Sequence, residues 1–346
     1  MKKILHIIPG IYYGGVESFI LRHIEGSEYS HTVTTLSSIS TDQISEFERI
    51  NIKVLLNKSD GKFKKYLYLL KAIKSDRFDY IHIHLNELTW VAVLLIKCNW
   101  VNTKIVIHSH NFFDKKFETR IVKFNNFFSK VLIKRVKSLN LACSLEAGKW
   151  LFGKSKFSVV KNAFAIEEYR TSKNEYGNQV GFIGRLEKQK QPIKAVKIFE
   201  KYFIDTHKLI MIGSGSYLKK LVNFIDENDL VKKVKLAPPQ ANIVNKLKDI
   251  DILVAPSLFE GLGIIIVEAF ASGCKIIISE AFPDEIKLLP GIIILEDNDE
   301  ISIHDREKLF AELSNDSRGV ASERNIKHLR RLNYDIEEQN FEKIYK

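Results

Sequence analysis

Thirteen short runs rich in β-branched residues alternate with longer amphipathic stretches, and this rhythm limits the possible folds more than any other feature of the chain. A strand, a helix and a further strand, repeated in order, build a parallel sheet through right-handed crossovers, with helices on both faces. In the first half, strands are expected at Lys3–Pro9, Thr32–Leu36, Val54–Leu56, Tyr80–His84, Lys104–His108, Leu139–Cys143 and Ser158–Val160. The rhythm lapses across the polar stretch Asn162–Asn178. It resumes with Val180–Ile183, Leu209–Ile212, Val234–Leu236, Ile250–Val254, Lys275–Ile278 and Ile292–Leu295. The expectation is an α/β protein with two doubly wound domains, residues 1–165 and 179–330, joined by a linker at 166–178. Residues 331–346 should add a C-terminal helix that packs back towards the first domain. Ligands of such sheets bind beyond the carboxyl ends of the strands, so the expected active site is a cleft between the two domains.

A length of 346 residues suits two domains. With 45% hydrophobic and 27% charged residues the chain reads as soluble and globular, which excludes disordered and collagen-like classes. Its longest apolar stretches, Trp90–Ile96 and Gly263–Val267, fall short of the roughly 18 residues a membrane span needs. The start, MKKILHIIPG, meets Pro9-Gly10 without a small-residue cleavage site and reads as a buried strand. Cys98, Cys143 and Cys274 lack metal-ligand spacing and fit a reducing cytoplasm.

The net charge of +11 is unevenly placed. Residues 1–170 hold 27 Lys+Arg against 15 Asp+Glu, whereas residues 171–346 hold 26 against 27. Such asymmetry points to an anionic partner for the first domain. The excess concentrates in Lys97–Lys137, with 10 Lys+Arg and only Asp114 and Glu118. There Phe112, Phe113, Phe117, Phe124, Phe127 and Phe128 intersperse with Lys115, Lys116, Arg120, Lys123 and Lys130. Basic residues beside aromatics suit a surface that settles on anionic lipid headgroups, placing the chain peripherally on the inner face of the cell membrane. The competing arrangement buries the phenylalanines in the core and leaves the lysines solvated. No nucleic-acid-binding motif accompanies the charge.

Four segments carry candidate chemistry. Gly14-Gly15 lies at the first strand-to-helix turn, where backbone can approach a ligand and the helix N-terminus favours phosphate. Gly184-Arg185-Leu186 with Lys190 delivers two cations to the mouth of the second sheet, suited to a diphosphate leaving group. Gly213-Ser214-Gly215 is a further strand-to-helix turn able to meet a nucleotide. The most specific segment runs from Pro256-Ser257 through Glu260-Gly261-Leu262-Gly263 to Glu268. It places one carboxylate in a glycine-flanked loop and a second in an apolar helix. A buried acid without a partner is costly, so Glu268 within Ile-Ile-Ile-Val points to hydroxyl recognition.

In this order and spacing, these residues resemble the retaining GT-B-fold glycosyltransferases, particularly those of bacterial capsule, exopolysaccharide and O-antigen synthesis. The resemblance spans nearly the whole chain. It implies two Rossmann-like domains facing a central cleft and a nucleotide-sugar donor, a UDP- or GDP-sugar. Transfer of a hexose to a saccharide or a lipid-pyrophosphate-linked saccharide is also implied. By that likeness, Arg185 and Lys190 hold the donor diphosphate, and Glu268 binds the ribose. Glu260 with the backbone of Gly261, Leu262 and Gly263 holds the sugar. Gly15, Gly213 and Gly215 border the donor, His110 lies near the sugar and acceptor, and His84 points to the cleft. Catalytic roles then fall to Glu260, His110, Arg185 and Lys190. The acceptor and membrane side falls to His84, Lys115, Lys116, Arg120 and Lys123.

The chain departs from the family pattern in several places. Lys190-Gln191 replaces Lys-Gly, Asn162-Ala163 replaces Asn-Gly, and Pro238 stands where a glycine often follows the strand. Ser279–Glu285 replaces a glycine pair. Asp249-Ile250-Asp251 and Asp297-Asn298-Asp299 match the loose DxD pattern of metal-dependent transferases, but so short a pattern is weak. With two cations at hand, no metal and no other cofactor is expected. A nucleotide-sugar epimerase and a non-catalytic partner subunit are the rival readings.

Overall fold

The structure is a computed structural model that describes residues 1–11, 14–36, 44–57, 64–112, 118–240, 243–296, 300–336 and 344–345. The chain divides into two compact units, Met1–Ala163 with Asn340–Lys346, and Phe164–Gln339.

The first unit holds a seven-stranded parallel sheet in the order β3-β2-β1-β4-β5-β6-β7. Its strands are β1 (Lys3–Ile8), β2 (Ser30–Thr35), β3 (Lys53–Leu55), β4 (Tyr80–Ile83), β5 (Lys104–Ser109), β6 (Ser138–Ala142) and β7 (Ser158–Val159). The second unit holds six parallel strands in the order β10-β9-β8-β11-β12-β13. These are β8 (Gln179–Ile183), β9 (Lys208–Ile212), β10 (Val234–Ala237), β11 (Ile252–Ala255), β12 (Lys275–Ile278) and β13 (Ile292–Ile294). The order reverses at β1/β4 and at β8/β11, and these switch points open a crevice at the carboxyl edge of each sheet.

All thirteen expected runs form strands; the central ones place Ile and Val on both covered faces, whereas the edge strands β3 and β7 are partly or wholly exposed. The boundary of one differs instructively. Ile250 ends the preceding helix, its N–H bonding to the Lys246 carbonyl at 3.2 Å, so β11 starts two residues late. Residues 166–178, expected as a linker, are counted in the second unit, which begins at Phe164. Phe164, Ile166 and Tyr169 are buried there, the last two in a short 3-10 turn, Ile166–Tyr169. Of the expected C-terminal helix, residues 337–343 and 346 lie outside the described residues, while Tyr345 is buried in the first unit.

Arg318 anchors the second sheet at the edge opposite its crevice. Its fully buried guanidinium donates to Asp251 Oδ1 at 3.1 Å, to the Leu247 carbonyl at 2.6 Å and to the Ser272 carbonyl at 3.2 Å. Asp251 Oδ2 in turn accepts the Gln179 N–H at 2.9 Å at the start of β8. Asp251 therefore serves the fold, and its DxD neighbour Asp249 pairs with Lys173 on the surface. Asp297-Asn298-Asp299 lies outside the described residues. Removing one partner of a buried pair strands the other charge, at about 3–5 kcal/mol. Arg318→Ala should lower the unfolding free energy by that amount in urea titration, whereas Lys173→Ala should change it by less than about 1 kcal/mol.

Candidate functional site

At the carboxyl edge of β8, the chain turns through Gly184, Arg185 and Leu186 against the turn after β9. The two turns approach so closely that a Cβ on Gly213 would lie 1.9 Å from the Gly184 carbonyl oxygen. A Cβ on Gly215 would lie 2.4 Å from that of Leu186. Glycine is thus required here by backbone packing. Glu187 locks the arrangement by accepting from the Ser216 N–H at 2.7 Å and from its hydroxyl at 2.6 Å. Burial alone would raise the Glu187 carboxyl, but the Ser216 hydrogen bonds and the Arg185 charge outweigh it and hold the pKa below the usual value.

Two side chains from adjacent crossovers meet on this edge. Lys190 Nζ donates to Glu260 Oε1 at 2.5 Å, with side-chain exposures of 18% and 7%. Gln189, which the sequence reading did not single out, aligns them. It accepts from Arg185 Nη2 at 2.8 Å, donates to the Phe259 carbonyl at 2.9 Å, and accepts the Leu258 N–H on its own carbonyl at 2.8 Å. Beyond Glu260, Gly261 and Leu262 are buried and Gly263 begins the helix Ile264–Ala271 in a left-handed conformation, φ 78°. A Cβ there would meet the Phe282 ring at 2.4 Å. The segment that replaces the family's glycine pair thus fills space with a buried phenylalanine. Its Ser279 hydroxyl donates to the Ser257 carbonyl at 2.5 Å. Glu268, buried one turn into the helix, accepts from the Tyr169 hydroxyl at 3.0 Å. Tyr169 is a second residue the sequence reading passed over, because the contact spans 99 positions.

The edge therefore carries a neutral Lys–Glu pair, a second cation in Arg185, and a carboxylate held by a tyrosine, over a floor of glycine backbone. That set suits a ligand with a diphosphate at one end and hydroxyls at the others. Pro238 directly follows β10 and supplies no backbone N–H there. A cavity lined by Lys173, Gln179, His207, Lys208 and Asp251 lies at the amino ends of β8, β9 and β11, away from these groups.

In the first unit, Gly14 caps the helix Gly15–Ile24 in an extended conformation. Gly15 is exposed, and among the described residues a Cβ on it would meet nothing within 4 Å. Beneath the helix, β1, β2, β4 and β5 bring together a buried layer of imidazoles. His84 lies between His6 (Nε2 to Nδ1, 3.2 Å) and His110 (Nδ1 to Nε2, 2.7 Å). His6 continues to His31 at 3.0 Å, and His31 to the Ser27 hydroxyl at 2.9 Å. His82 lies 2.7 Å from the Tyr345 hydroxyl. Burial holds His6, His82, His84 and His108 well below the usual imidazole pKa and His110 at about 3, with repulsion from neighbouring histidines adding to it. His84, expected on the acceptor side, is fully buried and lies against His110. His110 is half-buried, its backbone N–H fixed by the Asn86 side chain at 2.9 Å.

The basic aromatic segment is partly described. Phe113, Lys115, Lys116 and Phe117 lie outside the described residues. The helix Arg120–Ile133 exposes Ile121 (73%), Phe124 (57%) and Phe127 (62%) beside Arg120 and Lys123. These phenylalanines are not core residues. Among the described residues no helix is long and apolar enough to cross a membrane.

Residues 165–287 match the family model of glycosyl transferases group 1. A capsular polysaccharide biosynthesis glycosyltransferase, CapH of Staphylococcus aureus, is 23% identical over 276 residues, 76% of this chain and 77% of that one. An Escherichia coli UDP-Gal:alpha-D-GlcNAc-diphosphoundecaprenol alpha-1,3-galactosyltransferase is 25% identical over 228 residues, 59% of this chain and 58% of that one. The Anabaena Alr3699/HepE structure in complex with UDP-glucose superposes with a TM-score of 0.80 at 18% identity, covering 100% of this chain and 98% of that one.

Gln191 accounts for one departure from the family pattern. It holds φ 54°, ψ 53° before the helix Pro192–Tyr202, the left-handed conformation that glycine adopts without strain. Gln191→Gly should therefore raise stability by about 1 kcal/mol in chemical denaturation, although it deletes a side chain that bonds the Lys188 carbonyl.

Proposed function

We propose that this chain, a GT-B-fold glycosyltransferase, moves a hexose from a UDP-sugar to a lipid-linked saccharide with retention of anomeric configuration, in the synthesis of a bacterial surface polysaccharide. The observation that carries this reading is the pairing of Lys190–Glu260 with Tyr169–Glu268 on the glycine-floored edge of β8 and β11. The uridine nucleotide is taken from the UDP-Gal and UDP-glucose named for the E. coli and Anabaena proteins. The lipid-linked acceptor follows the diphosphoundecaprenol of the E. coli enzyme.

Glu268 accepts hydrogen bonds from the ribose hydroxyls, with Tyr169 fixing the rotamer of its carboxylate. Arg185 grips the diphosphate through its planar fork, and Lys190 swings between Glu260 and a phosphate oxygen. As the glycosidic bond breaks, negative charge grows on the leaving phosphate, and both cations stabilise it there more than in the ground state. Glu260, once released by Lys190, orients the hydroxyls of the transferred sugar. The acceptor hydroxyl attacks from the face the diphosphate leaves, and a phosphate oxygen takes its proton, so no protein nucleophile is needed. His110 donates a hydrogen bond near the sugar and acceptor, and Gly15 opens a helix N-terminus to anionic oxygens.

The first unit rests on the membrane through the helix Arg120–Ile133. Phe124, Phe127 and Ile121 enter the headgroup layer while Arg120, Lys123, Lys115 and Lys116 meet anionic lipid.

Three measurements check this. By calorimetric titration with UDP, Glu268→Ala should weaken binding about 10- to 100-fold, the loss of a charged hydrogen bond. Glu260→Gln should leave UDP affinity within about threefold and lower the transfer rate about 100-fold or more. Loss of binding and rate in equal measure at Glu260 would place it on the nucleotide instead. In flotation with phosphatidylglycerol vesicles, Phe124→Ser with Phe127→Ser should cut binding at least about tenfold, since each buried ring is worth about 1.5–3 kcal/mol. Equal binding by the wild type and this variant would remove the helix from the membrane contact.

A further inference from the structure

The imidazole layer of the first unit holds more nitrogen atoms than its own hydrogen bonds use. His84, His108 and His110 each present a ring nitrogen, and the three lie within 4.8 Å of one another. His108 is fully buried, and neither of its ring nitrogens has a hydrogen-bond partner among the described residues. The same holds for His110 Nδ1. An unsatisfied buried polar atom costs about 1–3 kcal/mol, so this cluster is expensive as it stands. His108, fully buried within β5, has no solvent contact to offset that cost.

The geometry points to a divalent transition-metal site, filled by Zn²⁺, with His84 Nδ1, His110 Nε2 and a ring nitrogen of His108 as ligands and an open fourth position. Three neutral imidazoles are the donor set that zinc accepts, at about 2.0–2.1 Å each. Ligand nitrogens on one tetrahedral ion sit about 3.3 Å apart. The 2.7 Å contact between His84 and His110 must open by roughly 0.6 Å, within the reach of small side-chain rotations.

The surrounding hydrogen bonds already fit this occupant. A ligating imidazole donates its other N–H to a fixed acceptor, which sets its tautomer. With His84 Nδ1 on the metal, its proton sits on Nε2 and is donated to His6 Nδ1 at 3.2 Å. His6 then donates from Nε2 to His31 Nδ1 at 3.0 Å, and His31 from Nε2 to the Ser27 oxygen at 2.9 Å. Each ring in that string carries one proton and passes one hydrogen bond, and the string ends on an oxygen able to accept. His110, half-buried at the carboxyl edge of β5, gives the ion a path inward. Bound there, the metal would staple β4 to β5 and leave His110 with its proton on Nδ1, a donor and not a base. His6, His82 and His84 form a second set within the same distance, but His6 and His82 already contact His31 and Tyr345.

The test uses the untagged full chain, stripped with chelator and titrated with ZnCl₂ by calorimetry, and separately with CoCl₂ by visible absorption. One equivalent of Zn²⁺, a raised melting temperature and the absorption of tetrahedral nitrogen-ligated Co²⁺ are expected. His110→Gln, at the least buried ligand, should weaken Zn²⁺ binding by more than about 100-fold and abolish the Co²⁺ bands. Ser27→Ala should weaken it less, about tenfold. His304→Ala, an exposed histidine of the second unit, should change nothing. His108→Phe is the sharper variant, but where it fails to fold, His110→Gln with a native circular dichroism spectrum decides. No saturable uptake by the wild type, or equal uptake by wild type and His110→Gln, overturns the site.

Discussion

The ion pair between Lys190 and Glu260 joins two crossovers that are 70 residues apart in sequence. A parallel sheet delivers the ends of neighbouring strands to one edge, but it does not by itself align what lies beyond them. Here the alignment comes from the pair and from Gln189, which ties the Arg185 side chain to the loop that carries Glu260. Largely buried, the pair is stronger than a surface ion pair, and its lysine side chain remains partly exposed. Its two charges cancel while the site is empty, which spares the fold an isolated buried charge.

The strands were legible because burial on both faces leaves a mark that a single sequence carries: short, dense runs of Ile and Val. Glu260, Glu268, Arg185 and Lys190 were legible for a different reason. Charged residues beside glycine at strand ends conflict with what packing alone would choose. Tyr169 and Gln189 left no such mark, since each acts on a partner about 70 to 100 positions away through an ordinary polar side chain. The imidazole layer is the extreme case. His6 and His31 lie in β1 and β2, His84 and His110 just past β4 and β5, and only the pairing of these four strands makes them neighbours.

Composition misled least where it was read as a pattern. The segment Lys97–Lys137 allowed either a core or a surface role for its phenylalanines, and periodicity alone did not separate them. The structure separates them by face: Asn126, Ser129 and Ile133 point inward, whereas Phe124 and Phe127 point out. The inward face carries polar residues because their side chains bond backbone, Ser129 to the Glu87 carbonyl at 2.7 Å and Asn126 to the Trp150 carbonyl at 3.2 Å. The helix is thus inverted relative to the usual amphipathic rule, and a hydrophobicity pattern read without those bonds assigns the wrong side to the core.

Tyr345 closes the first unit from the far end of the chain. Its ring covers the histidine layer beside Tyr80, and the Lys2 ammonium holds its carbonyl at 2.6 Å. The first unit is therefore discontinuous, with the whole of the second inserted between its two parts. During synthesis at about 5–20 residues per second, the first sheet waits roughly ten to thirty seconds for the residue that seals it. For that interval His82 and His31 lack the ring and hydroxyl that cover them in the finished unit. The lidless sheet on the ribosome is then a different chemical object from the finished protein.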